Sequence, residues 1–92
     1  MTRPTLAITL GDPRGIGPEI VRTALATPEV AGAARFVLVG PRGTQVDVDE
    51  AVGEWPDGPG RGDAAAAARA GSIAARSIER AVALAQSGAV QG

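Results

Sequence analysis

Apolar positions along the chain change period twice. Thr5-Leu6-Ala7-Ile8-Thr9-Leu10 is a compact apolar run between Pro4 and Gly11, a length and boundary that predict a buried strand. A glycine-rich turn follows. Pro18 then occupies a first helical position, where its missing N–H costs nothing, and Glu19 lies in the first turn, where its charge suits the helix dipole. Ile20, Val21, Ala24 and Leu25 form the stripe of a buried helix face. Thr27-Pro28 ends that helix, because the residue before proline leaves the helical region. Arg35-Phe36-Val37-Leu38-Val39-Gly40 predicts a second strand. Strand, helix and strand over residues 1–44 make a βαβ unit, with parallel strands and a right-handed crossover.

The pattern then weakens. Val46 and Val48 alternate with Asp47 and Asp49, one reading of which is a short exposed strand. Residues 53–62 are dense in Gly and Pro. Residues 45–62 are therefore expected to be a loop or linker. Residues 63–88 predict a long helix, or two joined at Gly71-Ser72, with Asp63 and Ser72 as candidate N-caps and Gly88 as the C-terminal cap. Ala70, Ile73, Ala74, Ile78, Ala81, Val82, Leu84 and Ala85 share one broad arc. Arg69, Arg76, Glu79, Arg80 and Gln86 share the other. An arc so rich in alanine predicts close packing against something large. Residues 89–92 read as the start of a further strand. The expected fold class is α/β, a parallel βαβ unit plus a long C-terminal helix, forming a partial domain over 1–92.

Composition sharpens this picture. A chain of this mass should bury about 63% of its unfolded surface, but its apolar content is mostly small. Nineteen residues are alanine, against one Phe, one Trp and no Tyr, and alanine removes little area from water. Missing packing partners are expected. A net charge of −1 gives no reason to expect nucleic acid as a partner. The absence of Cys and His removes disulfides, thiolate nucleophiles and imidazole acid–base chemistry. No apolar stretch approaches the ~20 residues that span a bilayer, and no secretory signal is visible. These features predict a soluble cytoplasmic protein without a membrane role.

The turn Gly11-Asp12-Pro13-Arg14-Gly15-Ile16-Gly17 carries the candidate chemistry. A phosphate-binding P-loop needs lysine, and the chain has none. The dinucleotide fingerprint needs a third glycine and an acid after the second strand. Here Ile20 stands at the third position, and Gly40-Pro41-Arg42 follows the strand. Gly15 and Gly17 can equally serve a tight turn alone. Asp12 suits a ligand hydroxyl or amide, but also local capping of its own turn. Arg14 suits a phosphate or plain solvation. Arg69, Arg76 and Arg80 suit an anion patch but read better as a solvated helix face. Trp55 is either a lid over a thin core or a partner contact.

As a whole string, Gly11-Asp12-Pro13-Arg14-Gly15-Ile16-Gly17-Pro18-Glu19-Ile20 resembles the N-terminal signature of the 4-hydroxythreonine-4-phosphate dehydrogenase family of pyridoxal phosphate biosynthesis. Residues 4–10 and 36–40 are similar to that family's first two strands. Residues 70–88 resemble the helix leading into its next core strand. The resemblance implies a fold like that of isocitrate and isopropylmalate dehydrogenases, a homodimer with a cleft between two domains. It implies NAD-dependent oxidation of a small phosphorylated substrate, followed by decarboxylation, with a divalent metal polarising the oxygen. In the family that metal is held by histidines of both subunits. Asp12, Gly15 and Gly17 would shape the cofactor side of the cleft rather than transfer protons. Arg14 departs from the small residue usual there.

The chain also departs from the family in length, in its short segment after the second strand, and in lacking His and Lys. It therefore reads as an N-terminal fragment with an internal deletion. It has no metal ligands or catalytic residues of its own, and is expected to be inactive alone. Two other readings stay open. One is a non-catalytic nucleotide- or partner-binding module. The other is a piece of a related threonate or erythronate phosphate dehydrogenase.

Overall fold

A computed structural model describes residues 3–56 and 62–92. The element order is β1 (Thr5–Thr9), α1 (Gly17–Leu25), α2 (Pro28–Ala33), β2 (Arg35–Arg42), β3 (Glu50–Glu54) and α3 (Ala64–Gln86). The sheet runs β1-β2-β3, all parallel. β1 and β2 pair in continuous register from Thr5↔Arg35 to Thr9↔Val39, as the βαβ reading predicts. Proline bars α1 from continuing, but the chain turns helical again at once. Pro28 sits in the first turn of α2, an element the sequence pattern did not announce.

The predicted linker over 45–62 is corrected. It contains β3, which begins immediately after the Val46–Asp49 alternation. Val46 is buried and Val48 half-buried against Leu10 and Leu38, so these valines are core rather than an exposed strand. Parallel strands ordinarily need a crossover of a dozen or more residues. Here residues 43–49 suffice because β3 begins opposite Val39, half-way along β2, and the chain retraces only a short distance. Asp49 bridges the entry. Its N–H donates to the Leu38 carbonyl at 2.9 Å, and its Oδ2 accepts from the Leu38 N–H at 2.8 Å. β2 also runs further than predicted, through Pro41. A proline inside a central strand is tolerated at a bulge, and the β2–β3 register shifts between Gly40 and Arg42. Residues 57–61 of the expected loop lie outside the described residues.

Strand alternation sorts the core onto two faces. Ile8, Leu10, Phe36 and Leu38 meet Val21 and Leu25 of α1 on one face. Ala7, Val37, Val39 and Val52 meet Leu84 and Val90 on the other. Ile20, expected on the buried stripe, is 55% exposed. α1 reaches the sheet only through its flank.

α3 is one continuous helix, so Ser72 is not a cap. Asp63 is, its Oδ1 accepting from the Ala66 N–H at 2.8 Å, a bond whose loss typically costs about 1 kcal/mol. Gly88, at φ 82°, closes the other end. Its N–H donates to Ala85, and that of Ala89 to Leu84, the paired bonds of a glycine C-cap. The chain then lies along the free edge of β1. The Gln91 N–H donates to Thr5 at 2.7 Å, and the Ala7 N–H to Gly92 at 2.6 Å, but residues 89–92 form no regular strand. The broad apolar arc of α3 is corrected. Ala66, Ala70, Ile73, Ser77 and Leu84 are buried, whereas Ile78, Val82 and Ala85 are exposed. Ser77 fits the buried row because its hydroxyl donates to the Ile73 carbonyl at 2.8 Å, leaving no orphan polar group.

Candidate functional site

The glycine loop sits where β1 feeds α1, beside the turn that follows β2. Ligands of open parallel sheets bind outside these carboxyl ends of the strands. Gly11, at φ 73°, starts the loop with a backbone conformation that favours glycine. Gly17 ends it where strand end and helix start touch. A Cβ there would land on the Leu10 carbonyl oxygen. Gly15 differs, since a Cβ would stand 3.4 Å from the Asp12 carbonyl oxygen, an ordinary contact. Packing within the chain thus demands glycine at 17 and tolerates a side chain at 15.

Asp12 and Arg14 act on each other. The Asp12 carboxylate accepts from the Arg14 backbone N–H at 2.8 Å, from Nε at 3.1 and 3.2 Å and from Nη2 at 2.7 Å. The Gly15 N–H closes the turn onto the Asp12 carbonyl at 3.0 Å. Of the two roles open to Asp12, the geometry shows the local cap. The Arg14 side chain, hydrogen-bonded to the carboxylate, holds the Asp12 pKa below its usual value. The Arg14 pKa is correspondingly raised. A carboxylate with a lowered folded-state pKa stabilises the fold above its unfolded value of about 3.9. That contribution disappears as pH falls through the lower folded value. Urea unfolding of the wild type between neutral pH and pH ~3 should therefore lose a small, salt-screened increment. Asp12→Asn should abolish that increment, and an unchanged pH profile in the variant would contradict the assignment.

Two hollows adjoin the loop and share Gly15. One, of about 250 Å³, lies between Pro13, Gly15, Pro18 and Glu19 on one side and Thr44, Gln45 and Trp55 on the other. The second, an open groove of about 600 Å³, runs from Asp12, Arg14 and Gly15 to Asp63 and Ala67 at the start of α3. Glu19, Thr44 and Gln45 offer a carboxylate, a hydroxyl and an amide. These groups match ligand hydroxyls and amides better than a phosphate, which Glu19 would repel. The sequence pattern missed Thr44 and Gln45, because only the turn after β2 brings them to the loop.

Trp55 resolves as a lid. It is 2% exposed and packs with Ala66, Ala70 and Ile73 of α3, while its backbone N–H donates to the Arg42 carbonyl at 2.7 Å. Arg80 pairs with Glu50 of β3 at 3.0 Å, binding helix to sheet rather than facing a ligand. Among the described residues no group of three or more His, Cys, Asp or Glu side chains is placed to hold a metal. The donor set for the divalent metal that the resemblance implies is therefore not supplied by these residues. No helix among them is long and apolar enough to cross a membrane.

A stretch of 40 residues is 65% identical to a 4-hydroxythreonine-4-phosphate dehydrogenase of Synechococcus sp. (strain JA-2-3B'a(2-13)), covering 44% of this chain and 12% of that protein. Over this stretch the chain resembles the 4-hydroxythreonine-4-phosphate dehydrogenases. The namesake from Geobacter metallireducens is 54% identical over 39 residues, 42% of this chain and 12% of the relative. A putative D-threonate 4-phosphate dehydrogenase of Symbiobacterium thermophilum is 54% identical over 39 residues, with the same coverage. The chain thus matches about an eighth of the length of these dehydrogenases. No family model and no solved structure matches.

Proposed function

We propose that this chain supplies the glycine-loop wall of an NAD-dependent dehydrogenase acting on a phosphorylated hydroxy acid, of the 4-hydroxythreonine-4-phosphate type. The observation that supports it is a glycine loop at the carboxyl ends of two parallel strands, next to a 250 Å³ cavity, in a chain that shares 65% identity over 40 residues with such an enzyme. In this reading Gly17 fixes the loop against β1. Asp12 holds the loop tip through Arg14. Gly15 leaves the wall bare, so that a hydroxyl- or amide-bearing part of the cofactor reaches Glu19, Thr44 and Gln45. The chain contributes binding surface and shape. Proton transfer and metal binding belong to residues it does not contain.

The likeness to a putative D-threonate 4-phosphate dehydrogenase favours a second reading of the substrate, within the same reaction class. Two assays test the proposal. The purified chain with NAD, a divalent metal and either phosphorylated hydroxy acid should produce no NADH, and turnover would overturn the inactive reading. Residues 4–42, exchanged for the matching segment of the Synechococcus enzyme, should preserve its turnover. A well-folded but inactive chimera would overturn the assignment of this segment.

A further inference from the structure

We infer that the hollow between the end of β3 and the middle of α3 is a binding site for a free α-amino acid with a small aliphatic side chain. β3 and α3 run in opposite directions, and their facing sides carry two carboxylate–guanidinium sets. In the first, Arg80 reaches Glu50 at 3.0 Å. The second stands four residues on along β3, at Glu54, and four residues back along α3, at Arg76. Four strand residues advance about 13 Å, whereas four helix residues advance about 6 Å. The second set therefore opens where the first closes. Glu54 and Arg76 form no ion pair with each other or with any other described residue. The hollow of about 380 Å³ that they line continues over Ala68, Arg69, Ser72 and Ile73.

The strand holds Arg76 in place. Its Nη2 rests over Gly53, where an added Cβ would come within 2.7 Å of it. Gly53 also has φ 71°, a conformation that favours glycine. The Ser72 hydroxyl makes no hydrogen bond among the described residues, whereas those of Ser77 and Ser87 turn back to helix carbonyls. One guanidinium, one carboxylate and one hydroxyl thus line a hollow in the size range of small-molecule sites. A zwitterion answers both charges at once. Its carboxylate accepts from the N–H groups of Arg76 and from the Ser72 hydroxyl, and its ammonium donates to Glu54. Ala68 and Ile73 supply an apolar wall for a short aliphatic side chain. A phosphate dianion fits less well, because Glu54 would repel it. The hollow shares no lining residue with the two beside the glycine loop, and the inference does not rest on the dehydrogenase reading.

Titration of the full, isotope-labelled chain with L-alanine or L-valine should shift the NMR signals of Gly53, Glu54, Ser72 and Arg76 saturably, with a Kd on the order of 1 mM. The thermal midpoint should rise with ligand concentration, by mass action. Acetate and methylammonium each carry one of the two charges, and lactate replaces the ammonium with a hydroxyl. All three should bind about fivefold more weakly than L-valine, the loss of one exposed ion pair at the upper end of its usual worth. Inorganic phosphate should also bind more weakly than L-valine. Arg76→Gln and Glu54→Gln, both at exposed positions, should each weaken L-valine binding by about the same fivefold, with the circular dichroism spectrum unchanged. Gly53→Ala should weaken it by pushing the Arg76 guanidinium aside. Shifts that do not saturate well above the millimolar range, shifts confined to the glycine loop, acetate or phosphate binding as tightly as L-valine, or wild-type affinity in both Gln variants would overturn the proposal.

Discussion

Gly17→Ala is expected to destabilise the chain by at least ~3 kcal/mol, the upper range for overpacking, and to remove most of its cooperative unfolding. The added Cβ would meet the carbonyl oxygen of Leu10, which is backbone and cannot rotate away. Leu10 is itself 1% exposed and anchors the cluster with Leu38 and Val46, so moving it disturbs the core beneath the loop. Gly40 closes the alternative route. A Cβ there would already crowd the Leu10 side chain at 2.9 Å, so little free space surrounds that residue. Gly15→Ala is the internal control. Its Cβ would make only an ordinary contact, and its effect on urea unfolding should stay within about 0.5 kcal/mol. Equal destabilisation by the two substitutions would contradict the close approach of β1 and α1.

Trp55→Ala should cost about 3–5 kcal/mol, the usual range for truncating a buried aromatic. For a domain of this size that lowers the thermal midpoint by at least about 12 °C. The effect is large because the rest of that cluster is small. Ala66 and Ala70 present methyl groups to the indole, and Ile73 is the sizeable aliphatic member of the cluster. Total stability on the order of 5–14 kcal/mol is typical of such a chain, so this single side chain carries a major share. Trp55→Phe should recover part of the loss. Circular dichroism is the proper readout, since the substitution removes the chain's sole tryptophan. A shift of only a few degrees in Trp55→Ala would show that the indole is not the lid of the α3 core.

The elements most legible in the sequence were those whose signals are local. β1 and β2 announce themselves as apolar runs closed by Gly and Pro, and α3 by Asp63 at one end and Gly88 at the other. β3 was hidden because Glu50, Gly53 and Glu54 carry no alternation. It forms through backbone pairing with β2 and through the Asp49 carboxylate, which only the fold brings to Leu38. The width of the buried face of α3 was also hidden. Alanine is equally at home in a core and on a surface, so a wheel rich in alanine does not show where the core ends. The burial of Ser77 is hidden for the related reason that its hydroxyl is satisfied within its own helix. At the site, Gly15 and Gly17 looked alike in sequence. Only the positions of Leu10 and Asp12 separate a glycine that packing requires from one that leaves a wall bare.

That separation gives the most direct test of Gly15 as part of a cofactor wall. In the chimera carrying residues 4–42 in the Synechococcus enzyme, Gly15→Val should raise the KM for NAD by about tenfold, equivalent to about 1.4 kcal/mol, and leave the KM for the phosphorylated substrate unchanged. An unaltered KM for NAD, or a rise confined to the substrate, would contradict the proposed placement of this loop beside the cofactor.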